Sequence, residues 1–437
     1  MDYGAALDHL DTLINYESRP RAGRVHGLSL QSMQGLASAM GDPQHRYRVI
    51  HVTGTNGKGS TVRITARLLR AMGLRVGAYT SPHLVAPTER ISVDSEPVEP
   101  EAFGAAIGDV ARFTDHMRMR ATWFETVTAA AMQHFADVAV DVAVIEVGML
   151  GRFDATNVVD AEVAVITNVG RDHTDGVGDW RLAVAHEKAG IVKPGSTIVC
   201  GETHSRLRDV FRAEPHAAML ERGSDFGTDR ERLAIGGWVA DFLTPYGRHA
   251  ESLVALHGRH QLDNASLAVA TAEAFFEARL PDDVVDEALA GVRVPGRFEI
   301  VSREPLVVLD GAHNPDGARA AAATLNDDFA PSGRRFLVVG MQSGRDISGV
   351  LQGLEADRAE RVVCCTAPTA RGIPAAEIAA AAAALGAASE AVDDVSAALD
   401  RAFELADASD VVTVTGSFTV IGAAKTALAE RGQRPCQ

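Results

Sequence analysis

The stretch HVTGTNGKGST (residues 51–61) decides how the rest of the chain is interpreted. It contains the glycines, the lysine and the hydroxyls of a phosphate-binding loop. It departs from the usual G-x-x-x-x-G-K-[ST] pattern, because Gly59 follows Lys58 where a hydroxyl residue is expected. Apolar β-branched residues precede the loop, and residues 60–73 carry apolar side chains at helical spacing and end on Gly73, a residue typical of helix ends. We therefore predict a loop that joins a strand to a helix.

The residue types in this loop suit phosphate binding. Glycines allow successive backbone N–H groups to turn toward an anion, and the start of the following helix adds a favourable dipole. Lys58 would supply a positive charge, and Ser60 or Thr61 a hydroxyl for phosphate or Mg²⁺. A glycine-rich turn without a ligand is the alternative. The predicted phosphate-binding residues of the loop are Gly54, Thr55, Asn56, Gly57, Lys58, Gly59, Ser60 and Thr61.

Length and charge narrow the class of protein. A chain of 437 residues with 46% hydrophobic content predicts two or three globular domains. The net charge of −16 argues against a sequence-independent grip on nucleic acid or on an anionic membrane, since both need clustered Lys and Arg. A local basic pocket for a small anionic substrate remains compatible with an acidic chain.

The first residues and the cysteines bear on location. Residues 1–20 lack a basic segment followed by an apolar run, and no stretch reaches the roughly 18 apolar residues of a membrane span. We therefore expect a cytoplasmic protein. The four cysteines form no C-x-x-C pair, so we expect ordinary thiols at Cys200, Cys364, Cys365 and Cys436.

Short apolar runs alternate with helical patterns in two series, which is typical of βαβ units around a mostly parallel sheet. The first series has predicted strands within 47–53, 138–148, 161–170 and 196–202, and the second within 306–312, 334–341, 361–367 and 410–417. Pro295 and Gly296 mark the join between them. The alanine-rich residues 375–388 predict an ordinary helix.

Polar residues follow two buried strands of the first series. Glu146 ends an apolar strand, and Asp172 with His173 follows the next strand. Because ligands bind at the carboxyl ends of parallel strands, Glu146 and His173 are candidate metal residues, although a loop histidine satisfied by the protein is the simpler interpretation of His173 alone. Lys188 follows in a helix-like segment, where a solvated lysine or a phosphate contact is the alternative role.

Eight motifs occur in the order and at roughly the spacings of one known family. They are HVTGTNGKGST, YTSPHL with ERI, EVGMLGRFDATNV, ITNVGRDHTD, EKAGIVKPG, GRHQLDNA, VPGRFE and LDGAHNPDGA, and TVTGSFTVIG near the C-terminus also fits. The chain thus resembles the folylpolyglutamate synthase and dihydrofolate synthase family of Mur-ligase-like amide ligases. The resemblance implies that the shortened phosphate loop is the form that this family has in place of the longer G-x-x-x-x-G-K-[ST] loop.

The resemblance implies an α/β fold with two domains. Residues 1–295 would form a P-loop-type, mostly parallel-sheet, ATP-binding domain of the Mur-ligase central type. Residues 296–437 would form a smaller Rossmann-like glutamate-ligase domain. The implied reaction transfers the γ-phosphate of ATP to a substrate carboxylate, and an amine then displaces the phosphate to form an amide.

The resemblance also implies roles for individual residues. Lys58 and the loop would hold the phosphates, together with the nucleotide-contacting Asn264, Arg297 and Asp310. The implied metal ligands for one or two Mg²⁺ ions are Ser81, Glu146, His173 and Lys188, the last being a position that is often carbamylated. Lys58, Lys188, Asp310 and His313 would be catalytic, and the implied substrate-binding residues are Asp154 on the pterin side and His313 and Ser417 on the glutamate side.

One position departs from the family pattern. The family usually has glycine where this chain has Leu150, in Gly148-Met149-Leu150-Gly151-Arg152. Glycine adopts φ > 0 easily and lets a ligand approach closely, whereas leucine does neither. Because this turn precedes the implied pterin loop, the sequence constrains the identity of the acid substrate less than it constrains the use of ATP.

We expect a monomeric ligase that joins L-glutamate to dihydropteroate or to a reduced folate, with ATP and Mg²⁺; a monovalent cation is a further candidate cofactor. Both reactions use the same machinery, so we predict a bifunctional enzyme. A monofunctional enzyme or a Mur-like ligase for a different acid is the alternative. A peptidoglycan-precursor ligase would need a larger N-terminal domain, a nucleotide-dependent switch would not need LDGAHNP, and a small-molecule kinase would leave a phosphorylated product.

Overall fold

The computed structural model describes residues 1–17, 29–171 and 178–432. The eight strands of its first sheet lie in the order β4-β3-β2-β5-β1-β6-β7-β8. Six of them, from β2 to β8, run parallel, and β3 and β4 add an antiparallel edge. The strands are β1 Arg48–Thr53, β2 Val76–Tyr79, β3 Ile91–Val93, β4 Glu96–Pro97, β5 Val142–Glu146, β6 Val163–Ile166, β7 Thr197–Cys200 and β8 Ala218–Glu221.

Helices cover both faces of this sheet, because its strands are apolar on both sides. In β1, Ile50 and Val52 face a core with α3, α8 and α9, whereas Val49 faces the opposite core with α1, α2, α4 and α5. The helices are α1 Tyr3–Thr12, α2 Gln31–Ala39, α3 Lys58–Ala71, α4 Pro100–Met117, α5 Trp123–Asp137, α6 Trp180–Ala189, α7 Ser205–Arg212, α8 His260–Phe276 and α9 Asp282–Ala290.

A three-stranded antiparallel sheet, which the sequence analysis did not predict, lies between the two series. Its strands are β9 Gly227–Ala234, β10 Gly237–Thr244 and β11 Gly247–Val254, with β10 in the centre. Phe242 and Val254 join the core that contains α8, so this sheet covers a helix of the first unit.

The second unit has six strands in the order β12-β13-β17-β14-β15-β16, and β12 alone is antiparallel to its neighbour. Helices again cover both faces. The strands are β12 Glu299–Arg303, β13 Leu306–Leu309, β14 Arg335–Val339, β15 Arg361–Cys364, β16 Ser389–Ala391 and β17 Val411–Thr415; the helices are α10 Pro315–Thr324, α11 Ile347–Gly353, α12 Ala375–Ala384, α13 Val395–Leu405 and α14 Phe418–Glu430. Short 3₁₀ or π turns are Pro43–His45, Pro87–Arg90, Ala155–Val158, Leu325–Phe329 and Ala356–Arg358.

The α/β fold class and both predicted strand series are confirmed, and the alanine-rich stretch is helical as predicted. Gly73 follows α3 with φ +88°, which agrees with its predicted position at the helix end. Cys364 and Cys365 belong to the cores on opposite faces of the second sheet. They are free thiols, as is Cys200, whereas Cys436 lies outside the described residues.

Candidate active site

The predicted phosphate loop connects β1 to α3, and two of its glycines are required by close packing. Gly54 has φ +151°, and a Cβ there would lie 1.7 Å from Thr167 Oγ1. Gly57 precedes α3 with φ +84°, and its Cβ would lie 2.3 Å from Asn264 Oδ1. The loop therefore folds against β6 and α8 so tightly that a side chain at either position would have to displace Thr167 or Asn264.

Residues after β6 fix the loop backbone. Asn168 O accepts the Thr55 N–H at 3.1 Å, and its Oδ1 accepts the Asn56 N–H at 3.0 Å. Thr167 Oγ1 donates to Asn56 O at 2.6 Å. Thr167 and Asn168 lie in the ITNVG motif, but no role was predicted for either of them from the sequence. The signal was their position after a buried strand next to the loop strand in the sheet.

Lys58 is the first residue of α3, and its ammonium group curls back over the loop. Nζ donates to Gly54 O at 3.0 Å and to Thr55 O at 3.4 Å. Ser60 and Thr61 are buried in the first turn of the helix, and Thr61 Oγ1 has no hydrogen-bond partner among the described residues. The lysine and the hydroxyl residues predicted to contact phosphate thus lie together at the start of α3.

Glu146 lies buried at the end of β5, beside the loop. Its Oε2 accepts the Ser81 N–H at 3.1 Å and would lie 3.4 Å from a Cβ on Gly59. Burial raises the pKa of Glu146, and nearby Lys58 opposes that shift. A carboxylate beside a serine and a phosphate loop is the hard oxygen donor set that Mg²⁺ uses, with water and phosphate oxygens completing the coordination. The residues at this position therefore fit the implied metal.

Lys188 and His173 are two other residues that were predicted as metal ligands. Lys188 is fully buried near the end of α6, with its Cα 3.1 Å from where a Cβ on Gly151 would lie, so the alternative of a solvated lysine is wrong. The turn at Gly151, 37 residues earlier in the chain, packs against the backbone at this end of the helix. His173 and Asp172 lie outside the described residues. Within the described ranges, no three or more His, Cys, Asp or Glu side chains form a cluster that could hold a metal.

Leu150 has φ +61°, so this turn does require the left-handed backbone that favours glycine. Its carbonyl accepts the Thr53 hydroxyl at 2.6 Å, and its side chain packs on the core that contains Val147 and Ile191. That packing offsets part of the backbone strain. The turn therefore keeps the conformation that glycine favours while presenting a larger side chain.

Asp154 is buried after this turn and binds the backbone around it. It accepts the N–H groups of Met149 at 2.8 Å and Thr156 at 3.0 Å. Burial raises the pKa of Asp154, and these hydrogen bonds oppose the shift. Its contacts within the chain shape the proposed pterin loop.

The second unit brings its own polar residues to the loop. Asp310 follows β13, is buried, and accepts the N–H groups of Phe298 at 2.8 Å and Ala312 at 2.9 Å. Burial raises the pKa of Asp310, and the charge of Arg297 opposes that shift. Asn314 Nδ2 donates to Asn56 Oδ1 at 2.9 Å, which joins the second unit to the phosphate loop. Sequence reasoning missed Asn314, although it lies within the quoted LDGAHNP motif.

His313, Arg297 and Ser417 surround Phe418 at the start of α14. The Arg297 guanidinium lies 4.6 Å from the centre of the Phe418 ring, and the His313 ring lies 6.1 Å from it. His313 Nδ1 is 2.8 Å from Gly311 O. Ser417 caps α14 by accepting the Thr419 N–H at 3.2 Å.

A cavity of about 220 Å³ lies between the two units and collects many of these side chains. The predicted residues Asn56, Gly57, Ser60, Asn264, Arg297, Asp310 and His313 line it. The other described candidates do not line it: Gly54, Thr55, Lys58, Gly59, Thr61, Ser81, Glu146, Asp154, Lys188 and Ser417. The lining residues that sequence reasoning did not assign include Thr167, Asn168, Arg222, His260, Gln261 and Asp316. The cavity thus unites the nucleotide candidates, while Glu146 and Ser81 lie beside the same loop.

The comparisons with known proteins define the class first. Residues 52–272 match the family model of the Mur ligase middle domain, and residues 296–418 match the Mur ligase glutamate ligase domain. The chain is therefore an ATP-dependent acid–amino-acid ligase.

Relatives and solved structures narrow this class. The chain is 37% identical to the dihydrofolate synthase/folylpolyglutamate synthase of Mycobacterium tuberculosis, over 91% of this chain and 89% of that protein. It is similar to M. tuberculosis folylpolyglutamate synthase complexed with ADP, with TM-score 0.91, 34% identity and full coverage of both chains. A bifunctional folylpolyglutamate synthase/dihydrofolate synthase with Mn, AMPPNP and L-glutamate bound aligns with TM-score 0.85 and 31% identity over 98% of each chain. The chain belongs to the dihydrofolate synthase/folylpolyglutamate synthase family.

Across residues 1–17, 29–171 and 178–432, every helix is too short or too polar to cross a bilayer.

Proposed function

We propose that this chain joins L-glutamate to the carboxylate of a pteroate or folate and converts ATP to ADP and inorganic phosphate in doing so. The observation that carries the proposal is the meeting of two sets of residues at one cavity. The phosphate loop contributes Asn56, Gly57 and Ser60 from the first unit, and Arg297 and His313 come from the second. A ligase needs this arrangement because ATP, the acid and the amine must react in one enclosed place.

The chemistry needs an activated carboxylate. A carboxylate is a poor electrophile at neutral pH, and transfer of the γ-phosphoryl group to one of its oxygens creates an acyl phosphate. The glutamate nitrogen then attacks the carbonyl carbon, loses a proton, and displaces inorganic phosphate as the amide forms. Lys58 and the N–H groups at the start of α3 would neutralise the phosphate oxygens. Mg²⁺ held by Glu146 and Ser81 would supply further neutralisation of the polyphosphate charge.

Residues of the second unit would orient the nucleotide and the amine. Asp310 and Arg297 lie at the cavity with Asn264, which suits contacts to the nucleotide. His313 shares this cavity and lies near Phe418, where its imidazole would position the incoming glutamate. Ser417 precedes Phe418 and would contribute to the same amino-acid site. We assign Lys188 and His173 to the metal region on resemblance, and carbamylation of Lys188 would make it an oxygen ligand.

The acid substrate depends on the turn before Asp154. We propose that the enzyme is bifunctional and accepts both dihydropteroate and a reduced folate, as the names of its relatives combine both activities. A monofunctional enzyme, or a ligase for another acid, is the alternative that Leu150 favours because its side chain occupies the place of a glycine.

We also propose domain bounds, an oligomeric state, a further cation and a cellular location. We propose an ATP-binding domain of residues 1–295 and a glutamate-ligase domain of residues 296–437, in a monomer that also uses a monovalent cation. A cytoplasmic location suits the buried free thiols Cys200, Cys364 and Cys365, because burial raises the pKa of each to about 12 and keeps it protonated.

The test is ADP release by purified protein with ATP, Mg²⁺ and L-glutamate, in the presence of dihydropteroate, tetrahydrofolate or neither. We expect ADP release to require an acid, and mass spectrometry to find one added glutamate on dihydropteroate and one or more on tetrahydrofolate. ADP release that ignores the acids would favour a switch protein. A phosphorylated product that persists would favour a kinase, and no mass gain on either acid would indicate a different acid substrate.

A further inference from the structure

Arg63 is a positive charge beside the metal region that the proposed mechanism does not use. It lies on α3, four residues after Gly59, so both residues share one face of the helix. Side chains on a helix lean toward its N-terminus, which directs Arg63 back toward Gly59 and the Glu146 carboxylate beside it. Its charge interacts with those of Glu146 and Glu89.

Both neighbouring carboxylates already have other partners. Glu89 accepts three backbone N–H groups, those of Leu84, Val85 and Ala86, at 2.8 to 3.0 Å. Glu146 accepts the Ser81 N–H. Among the described residues, the Arg63 guanidinium makes no hydrogen bond and no ion pair within 4.0 Å, although it is only partly exposed. An enclosed guanidinium with its five donors unused is the group that suits a carboxylate or phosphate ligand.

The charges around Glu146 also favour an anionic ligand for Arg63. Three cations, Lys58, Arg297 and Arg63, act on this one buried carboxylate. Bound ATP would neutralise Lys58 and, from across the cavity, Arg297. Arg63 does not line the cavity, and the second carboxylate whose charge acts on it is Glu89, in the loop of residues 81–90. A second anion is therefore needed there when ATP is bound.

We propose that the guanidinium of Arg63 binds the carboxylate of the acid substrate that is to be phosphorylated. This inference rests on the proposed function and adds to it a binding residue for the acid. Arg63 would hold the carboxylate beside Glu146, at the end of the phosphate loop, so that one carboxylate oxygen faces the γ-phosphoryl group. Incoming glutamate is the other source of a carboxylate, but its candidate residues, His313 and Ser417, belong to the second unit.

The test compares Arg63→Gln with Arg63→Lys and with the control Arg70→Gln. Arg70 is on the same helix but exposed to solvent. Steady-state ligation is measured while dihydropteroate, glutamate and ATP are varied in turn. We expect Arg63→Gln to raise KM for the acid about 100-fold, with KM for ATP and glutamate within about twofold of wild type, because a lost charge-assisted pair is worth that much. Arg63→Lys should recover part of the loss, and Arg70→Gln should match wild type.

The outcomes separate this inference from the proposed function. If wild type ligates neither acid, the proposed function fails. If wild type ligates and Arg63→Gln retains its KM for the acid, or instead raises KM for ATP or glutamate, the role given to Arg63 is wrong. If Arg63→Gln does not fold, Arg63→Lys decides alone: a raised KM confined to the acid supports the inference, and an unchanged KM overturns it.

Discussion

Gly57 and Gly73 lie at opposite ends of α3 and offer a matched pair of substitutions. Their φ angles are +84° and +88°, so alanine at either position bears the same left-handed strain, about 1 to 2 kcal/mol. They differ in the space around them. A Cβ on Gly57 would lie 2.3 Å from Asn264 Oδ1, whereas a Cβ on Gly73 has no neighbour within 4 Å. Gly57→Ala must therefore displace Asn264 from the loop, and Gly73→Ala displaces nothing.

We expect both variants to lower the melting temperature by about 2 to 4 °C for each kcal/mol of strain. Only Gly57→Ala should affect the nucleotide, and a lost hydrogen bond with a disturbed loop, about 1.4 to 3 kcal/mol, raises KM for ATP about 10- to 100-fold. The assays are thermal unfolding without nucleotide and ADP release at varied ATP. Equal KM values for the two variants would refute the assignment of this loop and of Asn264 to ATP.

Three further predictions concern the loop, the second unit and the antiparallel sheet. Lys58→Ala should abolish ADP release, and intact turnover would contradict the nucleotide assignment. His313→Ala should lower ligation far more than ATP binding measured by calorimetry; equal loss would make it structural. Burial alone lowers the pKa of His249, but the hydrogen bonds that its ring donates to Glu273 and Asp282 outweigh burial, so its folded pKa lies above 6.5. Its contribution to the free energy of unfolding is full below pH 6.5 and declines as pH rises through the folded pKa. Glu273→Gln should remove this decline in urea titrations at several pH values; an unchanged decline would exclude His249 as its source.

The parts of the fold that sequence could predict are those with a local signal. Buried parallel strands read as short β-branched runs, and the phosphate loop was recognisable from its glycines and lysine. Strand β9 carries no such signal: most of its residues, such as Arg230 and Glu231, are polar, and it is at least partly exposed along its length. The antiparallel sheet was missed for that reason.

The site shows the same limit. Leu150 could be flagged from its glycine-like position, and the structure gives it φ +61°. The burial of Lys188 could not be predicted, because the turn that packs against its part of the helix is distant in sequence. Asn168 and Asn314 fix the loop through contacts with residues more than 100 positions away, which spacing along one chain does not reveal.

In the proposed ligation, the carboxylate of the acid is activated as an acyl phosphate before glutamate attacks. The most direct measurement uses dihydropteroate labelled with ¹⁸O in its carboxylate and follows the label by mass spectrometry of the inorganic phosphate. Phosphoryl transfer to the carboxylate oxygen, followed by displacement, predicts one ¹⁸O in phosphate for each amide formed. Unlabelled phosphate accompanying normal amide formation would contradict the account.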